Sequence, residues 1–146
     1  MITIEKVAIL RSIPIFTSIP DHILAAVAQI TDEVELAAGE TLIHEGDVGD
    51  CMYVIVEGSV RVHSREKTII TLNTGQTVGE LAVLDPEPRS ASATAEGDAF
   101  LFRIGKDAFD EVMADRPEIA RGVIRALSQR VREQGRLMAS QPGGKA

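Results

Sequence analysis

The spacing of apolar positions changes twice along the chain. Val7 and Leu10 lead to a break at Pro14–Phe16, and a new helical pattern starts at Pro20. There Ile23, Leu24, Val27 and Ile30 share one face at helical spacing. A proline in a first helical turn is tolerated because its missing donor would be unpaired anyway. From Glu33 to Ile104 the pattern turns to short β-rich runs: Val34–Leu36, Thr41–His44, Met52–Val56, Val60–His63, Thr68–Leu72, Ser92–Ala95 and Phe100–Ile104. Turn residues such as Ala38-Gly39, Glu45-Gly46-Asp47, Gly49-Asp50, Glu57-Gly58, Asn73-Thr74-Gly75 and Glu96-Gly97-Asp98 separate them. Many short strands with regular turns predict a barrel or jelly-roll-like sandwich. After Ile104 the helical period returns over Lys106–Met113, and Asp115 is placed to cap a long last helix with Pro117 in its first turn. Ala120, Ile124, Leu127, Val131 and Met138 form its apolar stripe, with Gln134 standing where an apolar residue would continue it.

The expected architecture is mainly β with flanking helices, in a single unit over residues 1–140. Helices occupy 1–31, strands 32–104 and C-terminal helices 105–139. The tail from 140 to 146, ending Gln141-Pro-Gly-Gly-Lys-Ala146, is expected to be disordered. The chain is 45% hydrophobic and 25% charged, as a globular protein is, and 146 residues can bury an adequate core without disulfides. Cys51 is the lone cysteine, so no intrachain disulfide forms, which is compatible with the cytoplasm. No apolar run reaches the roughly 20 residues of a membrane helix, and the first residues carry Glu5 and no small-residue cleavage site. A net charge of −7 argues against general nucleic-acid binding, as does an aromatic content of four Phe, one Tyr and no Trp.

One stretch breaks the strand rhythm. Val78 to Arg89 holds Gly79, Pro86 and Pro88 around a short helical piece, Glu80 to Leu84. An irregular insertion on a regular scaffold is a natural place for a site. Gly79 allows close backbone approach, and a helix start presents free amides to an anion. Arg89 can give two parallel donors to a phosphate, Ser90 can add a contact, and an ionised Glu80 accepts from a sugar hydroxyl. Residue types and spacing alone leave the alternative open, since an arginine nine positions after a Gly-Glu pair is often only a surface residue.

The segment Val78-Gly79-Glu80-Leu81-Ala82, the loop Val83–Glu87, and Pro88-Arg89-Ser90-Ala91-Ser92 resembles the phosphate-binding cassette of the cyclic-nucleotide-binding domain family. That family includes regulatory subunits of cyclic-AMP-dependent kinase, catabolite activator protein and cyclic-nucleotide-gated channels. Gly39-Glu40, Glu45-Gly46-Asp47, Gly49-Asp50, Met52-Tyr53-Val54-Ile55 and Glu57-Gly58 match as well, and the resemblance runs from about Glu5 to Met138. Val78 departs from the frequent phenylalanine. The resemblance implies a β-roll of about eight strands, with Arg89 on the cyclic phosphate and Glu80 on the ribose 2′-hydroxyl. Gly79, Leu81, Ala82, Ser90 and Ala91 would line the ligand. Ser90 favours cyclic AMP over cyclic GMP only weakly. The last helix covers the base in this family, which makes Gln134 the candidate base contact, although a polar residue in an apolar stripe usually faces solvent.

These expectations describe a regulatory module rather than an enzyme, in which ligand shifts the C-terminal helix to signal to a partner or attached domain. The alternative is an interaction domain that keeps the fold without nucleotide. A homodimer through the last helix and an effector protein or fused domain are the expected partners. No helix-turn-helix follows, so DNA binding by this chain alone is not expected. His22, His44 and His63 form no ligand pattern, and no nucleophile triad or P-loop is present, so neither metal nor cofactor is expected. Arg121, Arg125, Arg130, Arg132 and Arg136 read as a solvated helix face.

Overall fold

The computed structural model describes residues 1–140. Of the tail expected to be disordered from 140 to 146, residues 141–146 lie outside the described residues, and Ser140 is the last residue of a helix. Helix α1 (Thr3–Leu10), a 3-10 turn (Pro14–Phe16) and α2 (Asp21–Gln29) come first. Strands β1 (Asp32–Leu36), β2 (Thr41–Ile43), β3 (Val48–Gly49), β4 (Cys51–Glu57), β5 (Ser59–Ser64), β6 (Lys67–Asn73) and β7 (Thr77–Val78) follow. A second 3-10 turn (Glu80–Val83) interrupts them before β8 (Glu87–Pro88), β9 (Ser92–Ala95) and β10 (Ala99–Gly105). The chain ends in α3 (Lys106–Asp115) and α4 (Pro117–Ser140).

The strands pair antiparallel throughout, in two four-stranded sheets ordered β1-β10-β4-β7 and β2-β9-β5-β6, with a ribbon β3-β8 between the halves of the chain. The seven strand runs expected from the pattern all fall on strands. The three two-residue strands β3, β7 and β8 were not expected. A two-residue strand is too short to carry a period, and it exists only because a distant segment supplies its hydrogen bonds.

Alternation on β4 and β10 splits the core in two. Met52, Val54, Phe102 and Ile104 point to the helices, where Phe16 and Phe109 meet with ring centroids 5.8 Å apart. Tyr53, Ile55 and Leu101 point into the roll, against Val60, Ala93 and Ala95. Successive strand side chains face opposite ways, so these two strands are buried on both faces while the outer strand β6 is largely exposed.

The α3–α4 boundary differs from expectation. Asp115 closes α3 instead of capping α4, and Arg116 between them is extended (φ −132°, ψ 85°). A residue before proline is pushed out of the helical region, so Pro117 sets the break. The apolar stripe expected on α4 is also shifted. Its buried face is Ile119, Gly122, Val123 and Ala126, while Ile124, Val131 and Met138 are exposed. The reason is the neighbour: α4 packs on the N-terminal 3-10 turn and the residues after it. A Cβ on Gly122 would come 2.6 Å from Ile19 Cγ1. Gly122→Val is therefore expected to lower the unfolding free energy by about 1–3 kcal/mol through overpacking, measured by urea denaturation.

Candidate functional site

The site is built from the segment between β7 and β9, which leaves the roll, turns once and returns. Gly79 sits in the left-handed region (φ 68°, ψ 38°), which a glycine adopts without strain. The following 3-10 turn is anchored by Val83, which is fully buried among the helices, while Leu81 is exposed. The helical piece is therefore one tight turn, too short for a helix dipole to carry the binding of an anion.

Arg89 is the one cation of the segment, and it is held at both backbone and side chain. Its backbone is held on both sides, Arg89 N donating to Asp47 O (2.7 Å) and Gly46 N donating to Arg89 O (2.8 Å), beside the β3–β8 ribbon. Its side chain folds inward between two glycines. A Cβ on Gly49 would fall 2.1 Å from Arg89 Nε, and one on Gly79 would fall 2.1 Å from Nη1. Nη2 donates to the Cys51 carbonyl at 2.7 Å and lies 3.7 Å from Cys51 Sγ. The guanidinium is half-buried and packs against the residue next to Glu80.

Glu80 is 12% exposed. Its Oε1 accepts from Arg130 Nη2 of α4 at 2.6 Å. Its Oε2 is buried and has no hydrogen-bond partner among the described residues. A buried carboxylate oxygen without a protein donor is costly, so a donor from outside the protein, a water or a bound hydroxyl, would stabilise it there.

Two cavities meet at this segment. One of about 600 Å³ lies between the segment and α4, lined by Gly79, Glu80, Leu81, Ala82, Arg89, Ser90 and Leu127 among others. The other, about 260 Å³, lies on the roll side and is lined by Val62, Ile70, Leu72 and Ala91, again with Gly79, Arg89 and Ser90. Of the candidates from sequence, Gly79, Glu80, Leu81, Ala82, Arg89, Ser90 and Ala91 thus come together around these spaces. Gln134 does not. It is exposed and lines neither cavity, because the buried face of α4 is turned one position from the expected stripe. Leu127 and Arg130 are the α4 residues that reach the site, so Arg130 leaves the solvated arginine face to which its spacing assigned it.

Sequence reasoning missed Gly49, Cys51 and Arg130 as parts of the arrangement. Gly49 had a signal, since a glycine in an extended run marks close backbone approach. Arg130 had one too, lying at i+4 from Ala126, one turn beyond the buried residues Ile119, Val123 and Ala126. The carbonyl of Cys51 had none. Beneath the site, burial pushes the Tyr53 hydroxyl above its ordinary value, with the Cys51 thiol adding to the shift and the Arg103 guanidinium opposing it. Tyr53, paired with Val78 in the ladder, stays neutral.

The interruption of the β-roll thus sets an inward arginine and a buried carboxylate beneath a covering helix. The chain matches the family described as "Cyclic nucleotide-binding domain" over residues 33–116, and it belongs to that family. It is 31% identical over 136 residues to the "CRP-like cAMP-activated global transcriptional regulator" of Mycobacterium tuberculosis, covering 90% of this chain and 61% of that one. It is 32% identical over 116 residues to the "cAMP-dependent protein kinase regulatory subunit" of Aspergillus fumigatus, covering 78% of this chain and 28% of that one. The chain therefore spans only part of the curated relatives it matches. The crystal structure of the N-terminal domain of a transcriptional regulator from Streptomyces coelicolor A3(2) superposes with a TM-score of 0.82 at 36% identity, covering 89% of this chain and 94% of that one. Among the described residues no helix is long and apolar enough to cross a membrane.

The ion pair gives a test that needs no ligand. Arg130→Met leaves both Glu80 oxygens without a donor and is expected to cost about 1–3 kcal/mol. The double variant Glu80→Gln/Arg130→Met should recover most of that loss, and a double-mutant cycle by urea denaturation measures it. Purely additive losses would show that the pair is not coupled in solution.

Proposed function

We propose that the chain is a cyclic-nucleotide-sensing regulatory module that binds cyclic AMP, and less well cyclic GMP, without catalysing a reaction. The observation that carries this reading is the buried Oε2 of Glu80, an acceptor with no donor, one residue from the glycine on which the Arg89 guanidinium packs. A cyclic nucleotide supplies what both lack: a 2′-hydroxyl for Glu80 and a phosphate charge for Arg89. Gly79, Leu81, Ala82, Ser90 and Ala91 frame the ligand, and the apolar lining of Val62, Ile70 and Leu72 offers its base a surface. Arg89 gives up its bond to the Cys51 carbonyl, or shares it, when a phosphate arrives. A cytoplasmic setting fits the single reduced cysteine.

The signal leaves through α4. Arg130 holds the same carboxylate that meets the ribose, so occupancy of Glu80 and the position of α4 are linked, and a ligand with different affinity for two helix positions shifts their populations. The exposed Ile124, Val131 and Met138 continue along α4 at the spacing of a helix seam. This supports a homodimer through that face, with an effector protein or fused domain receiving the change.

Titration calorimetry tests the site. Wild-type protein is expected to bind cyclic AMP, and Arg89→Ala to lose about 2–5 kcal/mol of binding, with its circular dichroism unchanged. Equal affinity in the variant would remove Arg89 from the site. Cyclic AMP at 100 times its dissociation constant should raise the stability by ~2.7 kcal/mol in thermal melting. If neither cyclic AMP, cyclic GMP nor a cyclic dinucleotide moves the melt, the chain is an interaction domain that retains the fold without nucleotide.

The seam is tested separately by sedimentation equilibrium. Wild-type protein should approach twice the monomer mass with rising concentration, and Ile124→Asp/Val131→Asp should stay at the monomer mass. A wild-type mass that never rises with concentration would exclude the dimer.

A further inference from the structure

Helix α4 differs in charge from the body that carries it. It holds five arginines, no lysine, and only Glu118 and Glu133, for a net charge of +3. Residues 1–116 hold nine lysines and arginines against twenty carboxylates, for a net charge of −11. Two of the five arginines are engaged, Arg130 with Glu80 and Arg136 with Glu133. Arg121, Arg125 and Arg132 are exposed and form no ion pair among the described residues, although carboxylates are abundant in this chain. Their spacing of i, i+4 and i+11 puts them on one line about 16 Å long. That line lies about 100° round the helix from Ile124, Val131 and Met138; Arg132 borders a surface cavity shared with Ile124, Leu127 and Val131, while Arg121 and Arg125 stand clear of it.

Like charges at i, i+4 destabilise an isolated helix. Arg121 and Arg125 carry this cost with no carboxylate in ion-pair contact among the described residues, Glu118 at i−3 from Arg121 being the nearest on the helix surface. A second copy cannot relieve it through its own α4, whose two glutamates are Glu118 and the already paired Glu133. Guanidinium groups throughout, rather than ammonium groups, favour forked pairing with planar anions. The strongly acidic body opposes a long polyanion such as a nucleic acid or an anionic membrane, because either would extend past a 16 Å line and over that body (about ten phosphate charges of duplex DNA span that length). A short carboxylate-bearing segment meets the arginines without reaching it.

We propose that Arg121, Arg125 and Arg132 form a docking line for an acidic helical segment of a partner protein, whose carboxylates recur with the same spacing. The line needs no nucleotide for its recognition, so its fate is separate from that of the ligand site.

Fluorescence anisotropy with a labelled alanine-based helical peptide tests this. The peptide carries glutamates at i, i+4, i+7 and i+11, and a control of equal composition spreads them round the helix. The striped peptide is expected to bind the full chain more tightly than the control, with affinity falling as salt rises. Arg121→Gln/Arg125→Gln/Arg132→Gln should weaken it by about tenfold or more, with the cyclic AMP response of the melt unchanged. Arg125→Glu alone should weaken it as well, which keeps the question answerable if the triple variant folds poorly. No binding of the striped peptide, equal binding of the control, or binding that survives both variants would overturn the proposal. So would tighter binding of labelled duplex DNA or of phosphatidylserine vesicles than of the peptide.

Discussion

The arrangement of the site depends on one close approach, the Arg89 guanidinium lying between Gly49 and Gly79. A side chain at either glycine would occupy the space of the arginine. The backbone on both sides of Arg89 is tied to the turn at Gly46 and Asp47, and the β3–β8 ribbon runs alongside. Those ties set where the segment re-enters the roll, while Val83 pins its other end into the helical core. Between the two anchors the chain has little freedom, so Glu80 and Arg89, nine residues apart in sequence, are held near one another in space. The backbone of the site is prepared in this sense, and in the proposed mechanism what rearranges is the Arg89 side chain, which is held on the Cys51 carbonyl.

Glu80 connects that prepared site to the rest of the molecule. One of its oxygens is held by Arg130 on α4, and the other is buried without a hydrogen-bond partner among the described residues. A single carboxylate thus touches the cavity and the last helix together, without an intervening chain of residues. α4 itself rests on the N-terminal helical segment through Gly122 and Ile19, so any displacement of α4 is felt there as well. In the proposed mechanism the two helical ends of the chain respond as one body to events at the roll.

The strands were legible in two ways: β5 and β9 as half-buried runs, and β4 and β10, buried on both faces, as short apolar runs bounded by turn residues. The two-residue strands were not, since Val48-Gly49 and Glu87-Pro88 look like loop in isolation and become a ribbon only by facing each other. The cassette residues were legible through the family resemblance, because residue chemistry by itself left Arg89 open as an ordinary surface residue. The parking of Arg89 on the Cys51 carbonyl was invisible, because every residue has a carbonyl and no side-chain type announces its use.

Local period by itself predicted a β-rich barrel or sandwich between helices, and the family resemblance added the β-roll and the candidate site between Gly79 and Ala91. Local rules suffice for the first, since alternation and turn residues act over a few neighbours. Which side of α4 faces inward could not be decided that way. A helix with 3.6 residues per turn carries two adjoining stripes here, Ile119-Val123-Ala126 and Ile124-Val131-Met138, and both are apolar. Packing against Ile19 chose the first, and that choice carried Arg130 to Glu80 and left Gln134 in solvent.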